Sequence, residues 1–178
     1  MSRHYLVMRQ STLQGQDQGV DEILRRLSAT RPELAKKLMS VDWEPVIKHV
    51  ARKALERAAL CCNSEVKDEY DNLSDYDPSY NVSAAPPEGG ECVGVLSERH
   101  ARLMPIQLGV AITGTRLSVY GNGWSREQLR YQEMLNAFEK AYKEEALKAA
   151  MQLIGGEVKR TESAGIVVLQ TVLKGGGK

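Results

Sequence analysis

The chain has 178 residues, of which 42% are hydrophobic and 26% are charged, and its net charge at pH 7 is +1. This composition is that of an ordinary soluble protein, and the length suggests one domain, or one domain with an elaborated extension, that can bury a sizeable core without disulfide staples. The apolar runs are shorter than the ~20 residues of a membrane helix, and the first residues lack the apolar core of a signal peptide. We therefore expect a cytoplasmic protein.

An N-terminal helical region is predicted for residues 1–62, after a possible short strand at His4–Met8. Apolar side chains recur there at helical spacing, at Val20, Ile23, Leu24 and Leu27. A second helix is predicted to begin with a capping box, because Thr30 precedes a proline in the first turn and stands three residues before Glu33. A third helix is expected to start near Asp42.

Basic side chains accompany the apolar stripe of this third helix. They are Lys48, Arg52, Lys53 and Arg57. The simplest interpretation is a solvated helix face. The alternative is that these four residues, together with Arg126, bind nucleic acid or another anionic ligand.

Residues 63–91 form an acidic segment that contains eight acidic residues and one lysine, a net charge of −7 in a chain whose total is +1. Tyrosine, proline and glycine are frequent in it and no period persists, so it is predicted to be a loop or a disordered insertion. Its tyrosines and acids suit contact with a partner, or with the chain's own basic helices. The candidate partner-binding residues are Tyr70, Tyr76, Tyr80, Asp75 and Asp77.

Residues 92–173 are predicted to form an α+β region. Alternating apolar residues in "PIQLGVAITG" and "RLSVYG" predict a strand hairpin, and a long apolar stripe then predicts a helix that ends at Gly155 and Gly156. Two further strands, "EVKRTE" and "GIVVLQTVL", follow. The expected fold is a small, mainly antiparallel sheet with the order strand–strand–long helix–strand–strand beside the N-terminal helices. Residues 174–178 are expected to be a flexible tail.

The stretch "VYGNGWSREQ" resembles the start of a dinucleotide-binding turn, because a strand, Gly-x-Gly and a helix follow one another. The third glycine of that motif is replaced by Arg126, and the expected acidic residue about twenty positions later is missing. We therefore predict a tight strand-to-helix corner, with Trp124 as a hydrophobic staple, rather than a nucleotide site.

Residues that could perform chemistry are few. The histidines and cysteines lack zinc-ligand spacing, and an odd number of cysteines argues against a disulfide framework. Cys61 and Cys62 are expected to be small buried side chains. We predict no catalytic residues, no metal and no cofactor. An enzyme site assembled from distant residues, with Cys92 beside His49 or His100, is a third and weaker hypothesis.

Three stretches carry a resemblance: "IQLGVAITGTRLSVYGNGW", "FEKAYKEEALKAAMQLIGGEVKRT" and "GIVVLQTVL". They resemble the hypothetical chloroplast reading-frame family of plastid and cyanobacterial proteins, which contain a domain of unknown function. Tyr142, Gly156 and Gly165 match positions of that pattern. The resemblance implies a small cytosolic α+β protein that works beside larger machinery, and it supplies no catalytic residues.

The sequence thus predicts a non-enzymatic protein–protein interaction subunit, an adaptor or a regulator of a larger cytosolic assembly. Another protein or a second copy is the expected partner, and no membrane is expected. The alternative is a nucleic-acid or anionic-ligand binding protein.

Overall fold

The computed structural model describes residues 11–12, 18–71, 85–98, 105–121, 128–164 and 166–173. Within these residues the helices are α1 (Gln18–Thr30), α2 (Pro32–Met39), α3 (Trp43–Cys62) and α4 (Gln128–Leu153). The strands are β1 (Ser11–Thr12), β2 (Glu65–Lys67), β3 (Glu91–Glu98), β4 (Ile106–Thr113), β5 (Arg116–Gly121), β6 (Gly156–Ser163) and β7 (Ile166–Leu173). The chain has an α+β fold with N-terminal helices, as predicted. The predicted strand at His4–Met8 lies outside the described residues.

The cap of one N-terminal helix differs from the prediction. The predicted capping box at Thr30 is wrong, because Thr30 is the last residue of α1 and its hydroxyl donates to the Arg26 carbonyl at 2.9 Å. A helical backbone keeps that side chain away from the N–H groups of the next helix, and Arg31 is the N-cap of α2 instead. The predicted start of α3 is confirmed, since the Asp42 carboxylate accepts from the Glu44 N–H at 3.4 Å.

The main sheet is antiparallel, with the strand order β1–β5–β4–β3–β2. One face packs against α3 and α4, and the alternating apolar residues of β4 lie on that face as predicted. The other face was expected to be solvated, but Gln107 and Ala111 on it are also fully buried. Strand β4 is therefore buried on both sides rather than half-buried.

Three strands of this sheet were not predicted, and the first of them is the two-residue β1, which is too short to show a period. Strand β3 contains a register shift between Cys92 and Gly94, and this interrupts the alternation that would have marked it. Strand β2 lies inside the predicted loop at residues 63–91 and pairs with β3, Val66 opposite Leu96. The acidic segment thus begins within the sheet, and its last residue, Glu91, begins β3.

The N-terminal helices and the C-terminal region share one core. Side chains of α3, such as Leu55 and Ala58, pack in the same cluster as Phe138 of α4 and Leu108 of β4. A second cluster joins Leu38 of α2 to the end of α4, where α1 also packs. The described residues of 18–62 and of 92–173 therefore contribute to shared clusters and not to two independent cores.

Candidate interaction surface

The C-terminal hairpin forms its own two-stranded sheet and does not extend the main sheet. The two strand predictions are confirmed, and all eight residues of β6 pair with β7, from Gly156 opposite Leu173 to Ser163 opposite Ile166. The connection is two residues long and contains Ala164 at φ 50°, the left-handed conformation that such short turns favour. Helix α4 ends at Leu153 and Gly155 follows it with φ 75°, which confirms the predicted glycine stop.

The inner face of the hairpin is held by apolar contacts at its base. Val158 and Leu173 pack against the cluster around Leu38, Met151 and Ile154. A side chain at Gly156 would overlap the Met151 methyl, so the first residue of β6 approaches α4 as closely as a glycine allows. The base of the hairpin is thus part of the folded body.

An ionic cluster holds the hairpin further toward its tip. Glu144 of α4 has a side chain only 4% exposed, and its Oε2 lies 2.7 Å from Arg57 Nη2 and 3.3 Å from Arg160 Nε of β6. Arg57 also bonds the neighbouring Glu145 at 2.6 Å, and Lys148 bonds the same Glu145 oxygen at 2.9 Å. One buried carboxylate therefore connects α3, α4 and β6, an arrangement that fixes the orientation of the hairpin.

The charges of this cluster shift one another's pKa values. Burial acts to raise the pKa of Glu144, but the hydrogen bond from Arg57 and the charges of Arg57, Arg160 and Lys148 hold it below its ordinary value. The pKa of Arg57 is raised, first by its hydrogen bond to Glu144 and then by that to Glu145. The carboxylates stay ionised at neutral pH, and the cluster stays intact.

The outer face of the hairpin is exposed and apolar along β7. Ile166 is 67% exposed and Val168 is 55% exposed. The eight residues of β7, "IVVLQTVL", carry no charge, whereas the eight of β6 include four charged residues. Within the described residues, no third strand pairs with the hairpin. A long, uncharged strand with an open edge and exposed apolar side chains is the kind of surface to which another chain adds.

The sequence hypothesis for the partner site named five residues of the acidic segment. Tyr70 lies half-buried on the outer side of the main sheet, with its ring centroid 5.9 Å from that of Tyr120. Space for the Tyr120 ring exists because the position beneath it is Gly109, where a Cβ would overlap that ring. Tyr76, Tyr80, Asp75 and Asp77 lie outside the described residues. Tyr70 therefore makes an internal contact.

Other acids of this segment turn back onto α3. The Asp68 carboxylate lies 2.8 Å from Arg52, and Glu91 bonds Lys48. This corresponds to the second option left open by the sequence, contact with the chain's own basic helix.

The basic residues of the alternative hypothesis are distributed among these pairs. Lys48, Arg52 and Arg57 each bond a carboxylate, Lys53 is exposed, and Arg126 lies outside the described residues. A cation that already holds a carboxylate has less charge to offer a phosphate. The charges of Lys48, Arg52 and Arg57 are therefore neutralised by carboxylates of the same chain, and these three residues do not form a free basic cluster.

The strand-to-helix corner is described only at its first residue. A side chain at Gly121 would overlap the Gln107 carbonyl and approach the Tyr131 ring, so glycine is needed there for close packing. The preceding hairpin is antiparallel, as expected. Trp124 and the rest of residues 122–127 lie outside the described part.

Cysteines and histidines are scattered. Cys62 is buried as predicted, whereas Cys61 is exposed, contrary to prediction, because it points away from the packed side of α3. Cys92 contacts the Tyr120 hydroxyl at 3.2 Å, and His49 is exposed on α3. His4 and His100 lie outside the described residues. In the part of the chain that the structure describes, no three His, Cys, Asp or Glu residues group as metal ligands.

Sequence reasoning did not find the hairpin surface, because it predicted β7 as one more strand of a single sheet. The available signal was its run of eight uncharged residues beside a charged strand.

None of the described helices has the length and apolar character needed to cross a bilayer. No family model matches the chain, and neither does any curated protein or solved structure.

Proposed function

We propose that this chain is a non-enzymatic interaction subunit, adaptor or regulator of a larger cytosolic assembly, and that it binds protein through the outer face and open edge of β7. The observation that carries the proposal is the exposure of Ile166 and Val168 on an uncharged strand. Exposed apolar side chains favour association because contact removes their surface from water, and an open strand edge supplies backbone hydrogen bonds.

The rigid attachment of the hairpin supports this role. A two-stranded ladder alone is marginally stable in water, but this one is packed at its base and bonded through Arg160 to Glu144. A surface that is already ordered loses less conformational entropy when it binds.

Kinship with the chloroplast reading-frame family remains part of the proposal. Two of its three matching positions are core positions in this chain, since Tyr142 is buried and Gly156 packs on Met151. The third, Gly165, lies outside the described residues. If kinship is real, the shared residues act on the fold and not on a reaction.

The test is native mass spectrometry of the tagged chain purified from its own host. Val168→Lys should release co-purifying protein, because a charge would enter the centre of the apolar surface. The matched control is Thr161→Lys, which places the same charge on the same face, opposite Val168 but on β6. Retention of every partner by the Val168→Lys chain, at wild-type stability, would contradict the proposal.

A further inference from the structure

We infer that the occupant of the β7 edge is a second copy of this chain, added antiparallel to form a four-stranded sheet β6–β7–β7′–β6′. The inference rests on the proposed function and specifies the partner. It follows from the chemistry of the strand edges that the structure describes.

The described edges differ in length and charge. Strand β1 has two residues, and β2 has three, including Glu65 and Lys67. Strand β6 has eight residues, but Glu157, Lys159, Arg160 and Glu162 are among them. Short length and charge are the features by which proteins protect strand edges, and β7 has neither.

Charge explains why a second copy pairs through β7. A twofold antiparallel pair of β6 strands centred on Lys159 or on Arg160 would place that cation directly opposite its own copy, and like charges directly opposite destabilise a sheet. A pair of β7 strands opposes only uncharged residues. An edge without charge also offers nothing that would select a charged peptide in place of its own copy.

The backbone of β7 is compatible with twofold pairing. A two-residue loop makes Ser163 and Ile166 a hydrogen-bonded pair, so the N–H and C=O groups of Val167, Leu169 and Thr171 point to the open edge. A twofold axis at Leu169 would pair Val167 with Thr171 of the second copy through these groups. It would also bring Ile166 against the second copy's Val172 on the outer face.

The described part of the main body leaves room for this pairing. Helix α4 lies mainly against β6, and the ion pair between Arg160 and Glu144 is on the β6 side of the hairpin. The β7 edge therefore faces away from the helix. Because the contact involves about eight residues a side rather than the roughly 20–30 of a standard interface, the dimer should be weak and concentration-dependent.

Sedimentation velocity over a concentration series tests the inference on the purified full chain. The wild-type sedimentation coefficient should rise with concentration. Val168→Lys should raise the dimer dissociation constant at least roughly tenfold, since the twofold axis introduces the charge twice. Thr161→Lys should associate like the wild type.

A mixing experiment separates lost pairing from lost folding. Val168→Lys and Val168→Glu should each sediment as monomers, and an equimolar mixture should associate again because the opposite charges then lie diagonally across the β7–β7′ pair, within reach of these long side chains. A misfolded variant would not regain association.

Two results would overturn the inference. One is a wild-type chain that stays monomeric at every concentration; if Val168→Lys still releases another protein in the host purification, the proposed function stands and only the second copy fails. The other is a dimer that persists in Val168→Lys, which would place the contact elsewhere. A monomeric chain that also binds nothing through β7 would end both proposals.

Discussion

The hairpin β4–β5 and the hairpin β6–β7 each contain an apolar strand of eight residues, β4 and β7, and these two strands have very different surroundings. Strand β4 is buried on both faces, whereas β7 leaves Ile166 and Val168 open. The difference lies in what covers each strand. Helices α3 and α4 cover one face of β4 and the rings of Tyr120 and Tyr70 lie on the other, whereas only the inner side of the second hairpin is held. An apolar strand thus indicates that a surface will be covered, but not whether the same chain or another one covers it.

The largest expected difference comes from one substitution made in both hairpins. Ile112→Ala, at a β4 residue only 3% exposed, should lower the free energy of unfolding by about 2–5 kcal/mol, because it leaves a cavity in the core. Ile166→Ala, at 67% exposure, should change it by less than about 0.5 kcal/mol. Urea unfolding measures both. Equal losses would mean that β7 is covered within its own chain.

The ionic attachment of the second hairpin should be the next most sensitive feature. Arg57→Met removes the closest partner of the buried Glu144 and should cost about 2–3 kcal/mol, somewhat less than a fully buried pair because Arg57 is 36% exposed. Lys48→Met on the same helix breaks only the exposed pair with Glu91 and should cost at most about 1 kcal/mol. Both are read from urea unfolding. Equal losses of unfolding free energy in the two variants would contradict a stabilising role of the ionic cluster around Glu144.

The outer side of the main sheet can be tested at Gly109. Gly109→Ala would force the Tyr120 ring out of its position and should cost about 1–3 kcal/mol. Adding Tyr120→Leu should recover part of this loss, because the smaller side chain leaves room for the new methyl. Without any recovery in the double variant, the overlap with Tyr120 would not be the cause.

The smallest effect is the pH dependence that the ionic cluster contributes. The pKa values of Glu144 and Glu145 are lowered in the folded chain from the ordinary 4.5, so the unfolded state binds more protons at acid pH. Stability from this source is complete above the ordinary pKa and is lost as the pH falls below it. Urea unfolding between pH 7 and pH 3.5 should show a shallower decline in Arg57→Met than in the wild type. A parallel decline would contradict the assignment.

Periodicity predicted the parts of the fold that depend on local sequence. It identified the four helices and the β4–β5 hairpin from recurring apolar residues and β7 from its apolar run, whereas β6 was a strand candidate with Val158 as its one apolar side chain. Strand β3 was missed because its register shift hides the alternation, and β2 because three residues in an acidic segment show no period. The separation of β6–β7 from the main sheet depends on tertiary packing, which a single sequence does not display.

The candidate site was less accessible to prediction. The sequence drew attention to charge, and the structure shows that Lys48 and Arg52 bond acids of the same chain.

The proposed role of the acidic segment in binding can be tested directly by placing a glycine–serine linker of equal length in place of residues 72–84. This replacement spares β2 and the start of β3, so weaker partner binding with unchanged stability would support the role, and unchanged binding would contradict it.

The most direct test of the difference between the two hairpins is hydrogen exchange measured by mass spectrometry. Peptides from β4 and β7 would be compared in the dilute free chain and in the assembly purified from the host. We predict slow exchange in β4 in both samples. In β7 we predict fast exchange of the open-edge N–H groups of Val167, Leu169 and Thr171 in the free chain, and slow exchange of the same groups in the assembly. Exchange in β7 that does not change between the two samples would contradict a binding role for the open hairpin.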